Sequence, residues 1–191
     1  MNRLALLCGA LLIFAGAASA QDFPKFEAFG GYSYLHVSEN GDGINFNGGS
    51  GSVAYNFNSL LGVVADFGGY HGSQNFGEGE NVSINVVTYL FGPKVSLRHG
   101  KFTPFAQALF GGAHGSFNAT EVCDARVRGQ GDCGNENTSD NGFSLAVGGG
   151  VDWNATTHIG IRLIQAEYLM TQFLNSTQNN ARISTGVTFR W

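Results

Sequence analysis

Apolar residues recur at every second position along most of the chain after residue 24. The clearest case is the segment 142–153, in which Leu145 and Val147 alternate with small or polar residues such as Ser144. A period of two indicates a β-strand whose two faces meet different surroundings. The pattern predicts eight strands, over residues 25–37, 49–57, 61–72, 83–97, 102–117, 142–153, 158–172 and 181–191.

The seventh segment departs from the simple alternation. Its polar residues Arg162, Gln165 and Glu167 do not share one parity. An extra residue in one strand moves the side chains that follow it to the opposite face. We therefore expect a β-bulge near Ile164.

The predicted connections between the strands alternate in length. In chain order they contain about 11, 3, 10, 4, 24, 4 and 8 residues. Barrels of the bacterial outer membrane have short periplasmic turns and longer external loops. Strands of ten or more residues also suit a tilted crossing of the hydrocarbon layer.

The chemistry of the two strand faces predicts which one meets lipid. One face carries Tyr, Phe, Val and Leu almost without charge, and the other holds the polar residues Glu27, Asp66, Lys94, Gln107, Asp152, Arg162, Arg182 and Arg190. An Arg or Lys that faces lipid at the membrane midplane costs ~2–4 kcal/mol. We therefore expect the apolar face outside and the polar residues paired inside. The predicted fold is all-β: an eight-stranded antiparallel up-and-down transmembrane β-barrel, with polar side chains filling its interior.

Composition is consistent with this class of protein and excludes others. Charged residues make up 13% of the 191 residues, Gly occupies 29 positions, and the formal net charge is −4. No stretch is rich in Lys or Arg, which excludes nucleic acid as a partner. The mean hydropathy of −0.03 follows from the alternation of apolar and polar residues.

The N-terminal 20 residues have the pattern of a secretory signal peptide. Arg3 precedes an apolar stretch at 4–15, and Ala18-Ser19-Ala20 supplies the small residues of a cleavage site. We expect residues 1–20 to be removed and residues 21–191 to form the barrel domain.

Signal removal also takes Cys8 and leaves two cysteines, Cys123 and Cys133. In an exported protein this pair predicts a disulfide, worth up to ~3 kcal/mol for so short a ring. The spacing fits no zinc site, and we expect no metal or cofactor. The pair lies in the longest predicted loop, 118–141. Either this loop binds an extracellular ligand, or the disulfide protects it from proteolysis.

Three stretches resemble a known family. Phe29-Gly30-Gly31-Tyr32-Ser33-Tyr34, Leu90-Phe91-Gly92-Pro93-Lys94 and the closing Thr188-Phe189-Arg190-Trp191 are similar to bacterial outer-membrane β-barrel domains of the OmpA/OmpX type. The resemblance implies a place in the outer membrane of a Gram-negative-type bacterium, surrounded by its lipid, with the loops outside and both termini periplasmic. It also implies that Phe189 and Trp191 form the signal read by the barrel-assembly machinery, although most members end in Phe.

The expected function is therefore structural or surface interaction, without enzyme activity. One alternative is a lipid-modifying enzyme, similar to a lipid A deacylase, because His71-Gly72-Ser73 and His114-Gly115-Ser116 each place a base near a nucleophile. Such a site needs a carboxylate to orient the histidine, and Glu121 is the nearest. A soluble lipocalin-like binder would need the opposite assignment of the two faces. Proton or ion conduction through the polar interior is a further alternative to structural pairing.

Overall fold

The protein closes into a single barrel of eight strands. The computed structural model describes residues 23–39, 42–75, 81–120, 136–173 and 176–191. The strands are β1 (Phe26–Glu39), β2 (Asp42–Asn56), β3 (Leu61–Asn75), β4 (Asn81–Ser96), β5 (Phe102–Thr120), β6 (Glu136–Asn154), β7 (Ile159–Phe173) and β8 (Ser176–Arg190). Each pairs antiparallel with the next, and β8 pairs with β1. The predicted eight-stranded antiparallel barrel is confirmed.

Two of the expectations fall outside the described residues. These are the signal peptide at 1–20 and the cysteine pair Cys123 and Cys133. Within the described ranges, no helix is long and apolar enough to span a membrane.

The connections do not alternate in length as the sequence pattern predicted. The strands β2, β6 and β8 begin several residues before their predicted starts, so only residues 40–41 separate β1 from β2 and only 174–175 separate β7 from β8. The prediction was wrong because the apolar alternation stops near these strand ends while the backbone pairing continues through polar residues such as Asn45. We call this end of the barrel the loop end. The opposite turn end holds residues 57–60, 97–101 and 155–158.

Alternate side chains point outward and inward, as the period of two requires. Large apolar residues on the outer face are about half exposed; Phe67 is 60% exposed and Phe110 is 52% exposed. The predicted bulge in β7 is confirmed, since the register with β8 shifts between Arg162 and Gln165. The consecutive residues Leu163 and Ile164 both lie on the outer face, and Gln165 returns to the interior.

An aromatic group surrounds the junction of the first and last strands at the turn end. The ring centroid of Phe26 lies 5.1 Å from that of Tyr55 and 6.4 Å from that of Trp191. The backbones of Phe26 and Trp191 exchange two hydrogen bonds, of 2.9 and 3.0 Å. Such outward aromatics are typical of the boundary between the hydrocarbon layer and water.

Closure of the barrel depends on glycine at one close contact. Gly31 of β1 faces Gly186 of β8 on the interior side. A Cβ atom on Gly31 would lie 2.1 Å from the carbonyl oxygen of Thr185, and one on Gly186 would lie 2.3 Å from that of Gly30. No side chain fits at either position without moving the paired backbone.

We predict that Gly186→Val prevents β8 from closing on β1. The added side chain would overlap the Gly30 carbonyl group, which the hydrogen-bonded backbone cannot move away. The measurement is the difference in SDS gel mobility between boiled and unboiled protein, because closed barrels resist SDS until they are heated. The control is Gly30→Val, since a Cβ there meets nothing within 4 Å. A normal mobility shift in Gly186→Val would contradict the prediction.

Candidate functional site: the interior network and the outer belt

The eight polar residues predicted for the inner face all lie inside the barrel. Each is at most 6% exposed. They reach the interior because they occupy inward positions on seven strands, that is, on every strand except β2. Their contacts form three groups that follow one another through the barrel.

The first group is centred on Glu27, near the turn end. One of its carboxylate oxygens accepts a hydrogen bond of 2.6 Å from the ammonium of Lys94, and the other accepts one of 2.9 Å from Arg98. The Lys94 nitrogen also lies 4.7 Å from the ring centroid of Phe105. Both charges of the Glu27–Lys94 pair are therefore buried and compensated.

The second group is centred on Asp152. Its carboxylate accepts hydrogen bonds from Arg162, at 2.8 and 3.3 Å, and from Arg190, at 3.3 Å. The guanidinium of Arg162 lies between two aromatic rings, 4.1 Å from the centroid of Phe29 and 4.4 Å from that of Phe105. A planar cation held between two rings gains cation–π attraction as well as its ion pair.

The third group is centred on Arg182. It donates a hydrogen bond of 2.7 Å to Asp66 and another of 2.7 Å to Glu167. The Tyr70 hydroxyl lies 3.3 Å from the same guanidinium. The Gln107 amide donates to the second oxygen of Glu167 at 2.8 Å. Arg182 therefore contacts two carboxylates, and its hydrogen bonds hold the side chains of Asp66 and Glu167 in place.

Gln165 joins the second and third groups. Its carbonyl oxygen accepts from Arg162 at 2.5 Å, and its amide nitrogen donates to Glu167 at 2.7 Å. The ring of Phe105 joins the first and second groups, because both Lys94 and Arg162 lie over it. The three groups therefore form one connected network.

The members of this network that were missing from the predicted set include Gln165, Glu167 and Arg98. The signal for the first two was present in the β7 bulge, because one inserted residue puts Gln165 and Glu167 on the inner face with Arg162. Arg98 lies on a turn outside the strand pattern, so alternation carries no information about its direction.

The buried charges balance. Among the described residues, the buried cations are Lys94, Arg162, Arg182 and Arg190, and the buried anions are Glu27, Asp66, Asp152 and Glu167. In a medium of low dielectric constant, an uncompensated charge costs several kcal/mol. Equal numbers of both signs in mutual contact avoid that cost.

The interior is not polar throughout, which corrects the sequence prediction. An apolar cluster includes Leu35, Phe46, Ile84, Leu109 and Leu169. Leu109 and Leu169 are fully buried, and Leu35 is 2% exposed. The prediction was wrong because it described the inner face as charged residues among Ser, Thr and Gly, although the alternation also puts Phe29 and Val64 on that face. Apolar side chains also fill the inner face where no polar partner is available.

Asparagine residues form a belt on the outer face towards the loop end. In each of the hairpins β1–β2, β3–β4, β5–β6 and β7–β8, an Asn side chain contacts a His or Tyr on the paired strand. The contacts are Tyr32–Asn47 at 2.5 Å, Tyr34–Asn45 at 2.6 Å, His36–Asn45 at 2.7 Å, His71–Asn85 and His114–Asn141 at 2.8 Å each, and Tyr168–Asn179. We call these residues the asparagine belt.

One belt histidine also contacts a serine. The Ser116 hydroxyl lies 3.3 Å from Nε2 of His114, whose Nδ1 faces Asn141. Among the described residues, Nδ1 of this histidine contacts an amide. Glu121, the carboxylate expected from the sequence, lies outside the described residues. Among the described residues, no group of three or more His, Cys, Asp or Glu side chains is arranged to hold a metal ion.

The sequence matches the family described as outer membrane protein beta-barrel domain over residues 5–190. No curated protein sequence matches the chain.

Solved structures share the fold at low sequence identity. Ail, the attachment invasion locus protein of Yersinia pestis, is 19% identical, with a TM-score of 0.62 over 88% of this chain and 100% of its own. Neisserial surface protein A is 12% identical, with a TM-score of 0.64 over 87% of this chain and 97% of its own. OprG from Pseudomonas aeruginosa is 12% identical, with a TM-score of 0.52 over 88% and 96%. At these identities, the likeness shows the fold alone.

We predict that Glu167→Ala destabilises the barrel. The change leaves Arg182 with one carboxylate and removes the acceptor of both Gln107 and Gln165. Breaking a buried pair by removing one partner costs about 3–5 kcal/mol, which corresponds to roughly 6–20 °C in Tm for a chain of this size. Thermal unfolding in detergent measures the shift. Gln172→Ala, at an exposed outward position on the same strand, is the control, and equal Tm values for the two variants would contradict the role of the network.

Proposed function

Because the chain belongs to the outer membrane protein β-barrel domain family, we propose that it is a non-enzymatic barrel of the outer membrane that acts through its exposed surfaces. The observation that carries this proposal is the filled interior. The connected ion pairs of Asp66, Asp152 and Arg182 and the apolar cluster around Leu109 occupy the space through which a solute would pass. Eight strands enclose an interior narrow enough for side chains such as these to fill.

We propose that the loop end faces the exterior and that the termini are periplasmic. Phe26 and Trp191 lie at the turn end, beside the connections 57–60, 97–101 and 155–158. The longest connection, residues 121–135, lies at the opposite end. Short periplasmic turns and longer external loops are usual in such barrels.

Assembly is proposed to use the two aromatic residues at the end of β8. Phe189 and Trp191 are 51% and 59% exposed on the outer face. Their side chains are therefore accessible to the barrel-assembly machinery at the turn end. The interior residues contribute to stability after closure.

We propose that residues 118–141 contact an extracellular ligand and that a Cys123–Cys133 disulfide restrains them. Ail has been solved with the heparin analogue sucrose octasulfate. In this chain, the segment carries five acidic residues (Glu121, Asp124, Asp132, Glu136 and Asp140) against two arginines, Arg126 and Arg128. This acidic excess disfavours a polyanion and favours a neutral or cationic ligand.

A second candidate function, hydrolysis of an acyl ester, is supported by the contacts of Ser116, His114 and Asn141. In such a reaction His114 takes the proton of Ser116 as the serine oxygen attacks an ester carbonyl, and returns it to the departing alcohol; water then hydrolyses the acyl-serine. Asn141 would orient the imidazole. The same His–Asn pairing recurs at His36 and His71 in two other hairpins. The repetition favours a belt with one common role over a single catalytic centre.

We predict that the refolded protein forms no steady ion channel. In a planar lipid bilayer, the conductance should stay at the level of the bare membrane, because the paired charges and the apolar cluster leave no continuous water path. A wide porin inserted in the same membrane is the positive control. Stepwise, long-lived conductance that depends on the protein would contradict the filled interior.

We predict that the purified protein releases no fatty acid from phospholipid or lipid A vesicles. Mass spectrometry of the lipids measures this directly. The non-enzymatic proposal fails if fatty acid appears with the unaltered protein and disappears with Ser116→Ala while Ser83→Ala, an outward serine on β4, retains the activity.

We predict that the protein is not retained on immobilised heparin at physiological salt. Repulsion between the sulfates and the acidic excess of residues 118–141 is the reason. Ail is the comparison protein on the same resin. Retention that disappears when residues 121–135 are replaced by a Gly/Ser linker would contradict the proposed charge preference.

A further inference from the structure

We propose that the asparagine belt binds the sugar headgroups of a glycolipid in the outer leaflet, through neutral hydrogen bonds to hydroxyl and ester oxygens. This inference rests on the orientation proposed above, with the loop end outside. It concerns the lipid-facing surface of the barrel and does not involve the loop 118–141.

The first argument is the height of the belt above the turn end. On β3, Leu61 begins the outward apolar stretch, and the belt residue His71 lies ten residues further along. At ~3.3 Å per residue this is ~33 Å of strand, or ~25 Å along the membrane normal at a tilt of ~40°. The apolar band of an outer-membrane barrel has a height of ~25 Å. The belt therefore lies where hydrocarbon gives way to headgroups.

The second argument is the arrangement of hydrogen-bond donors. The side-chain oxygen of Asn45 accepts from the Tyr34 hydroxyl, and the oxygens of Asn85 and Asn141 face imidazole nitrogens. In the structure, each of these amides has its oxygen towards the neighbouring strand. Within the described ranges, the amide nitrogens of these three exposed asparagines donate no hydrogen bond to a protein acceptor. Each therefore presents two N–H donors to the surroundings of the barrel.

The third argument concerns charge. The belt contains His, Tyr and Asn but no Lys or Arg. The nearby strand ends carry acidic residues, including Glu39, Asp42 and Asp140. A surface that recognised phosphate would place cations here. Neutral donors beside acidic residues instead suit uncharged oxygens, such as those of a sugar.

The belt is also repeated around the barrel. It includes all four hairpins that meet at the loop end, so donors face lipid on every side. A single catalytic or ligand pocket would occupy one hairpin. A ring of similar pairs fits the annular layer of headgroups that surrounds the protein.

The test compares the binding of a lipid whose headgroup is a sugar with the binding of a lipid whose headgroup contains a phosphate. The protein is placed in phosphatidylcholine nanodiscs with equal mole fractions of glucosyl-diacylglycerol, which has a sugar and no phosphate, and phosphatidylglycerol, which has a phosphate and no sugar. After extraction in mild detergent, native mass spectrometry counts the retained molecules of each. We expect retention of the glycolipid to exceed that of phosphatidylglycerol about fivefold, the effect of roughly one net hydrogen bond.

The variant that tests the belt carries Asn45→Ala, Asn85→Ala and Asn141→Ala. We expect its glycolipid retention to fall to the level of phosphatidylglycerol. The matched control carries Ser83→Ala, Ser139→Ala and Gln172→Ala, three outward polar positions near the same rim, and should retain the glycolipid as the unaltered protein does. The single changes Asn85→Ala and Asn141→Ala replace the triple variant if it does not fold.

Equal retention of the two lipids by the unaltered protein would overturn the proposal, as would a preference for phosphatidylglycerol. Undiminished glycolipid retention in the folded asparagine variant would also overturn it. The conductance, fatty-acid and heparin measurements do not depend on the belt asparagines. Failure of this inference is therefore distinguishable from failure of the proposed function.

Discussion

The ion pairs of Arg182 with Asp66 and Glu167 lie at the centre of this structure, and the rest of the barrel is built around them. Closing eight strands leaves a space that side chains fill, so the charged groups there must be compensated within the protein. Three consequences follow: inner charges of both signs, a bulge that brings Glu167 to the inner face, and glycines where strands β1 and β8 approach closely.

The same constraint is the reason why we propose that the protein acts through its outer surface. Within the part of the chain that the structure describes, buried ion pairs and the apolar cluster occupy the interior. Large apolar residues such as Phe67 cover the outer face, while the belt histidines and asparagines occupy it near the loop end. The surface that meets lipid therefore has two chemistries, an apolar band and a polar rim. The rim is where an outer-membrane barrel can distinguish one headgroup from another.

Much of this arrangement could be predicted from the sequence, because a period of two determines which residues share a face. Glu27, Lys94 and Arg182 were placed on the inner face by parity alone. The partners within the network could not be predicted, since Asp66 and Arg182 lie 116 residues apart and meet only when the barrel closes. The starts of β2 and β8 could not be predicted, because the polar residues there pair with the neighbouring strand without alternating with apolar residues. The asparagine belt could not be predicted either, because His71 and Asn85 become neighbours only through the register of β3 with β4.

The assignment of the two faces is the claim on which the account depends, and adjacent residues of β6 test it most directly. Leu145 is outward and Ser144 is fully buried in the interior. Each is replaced in turn by Cys in a cysteine-free protein, the folded barrel is treated with a small thiol-reactive fluorophore, and brominated lipids are used to quench the label. The account predicts efficient labelling and strong quenching at position 145, and little labelling at position 144. Strong lipid quenching at position 144 with none at 145 would contradict it.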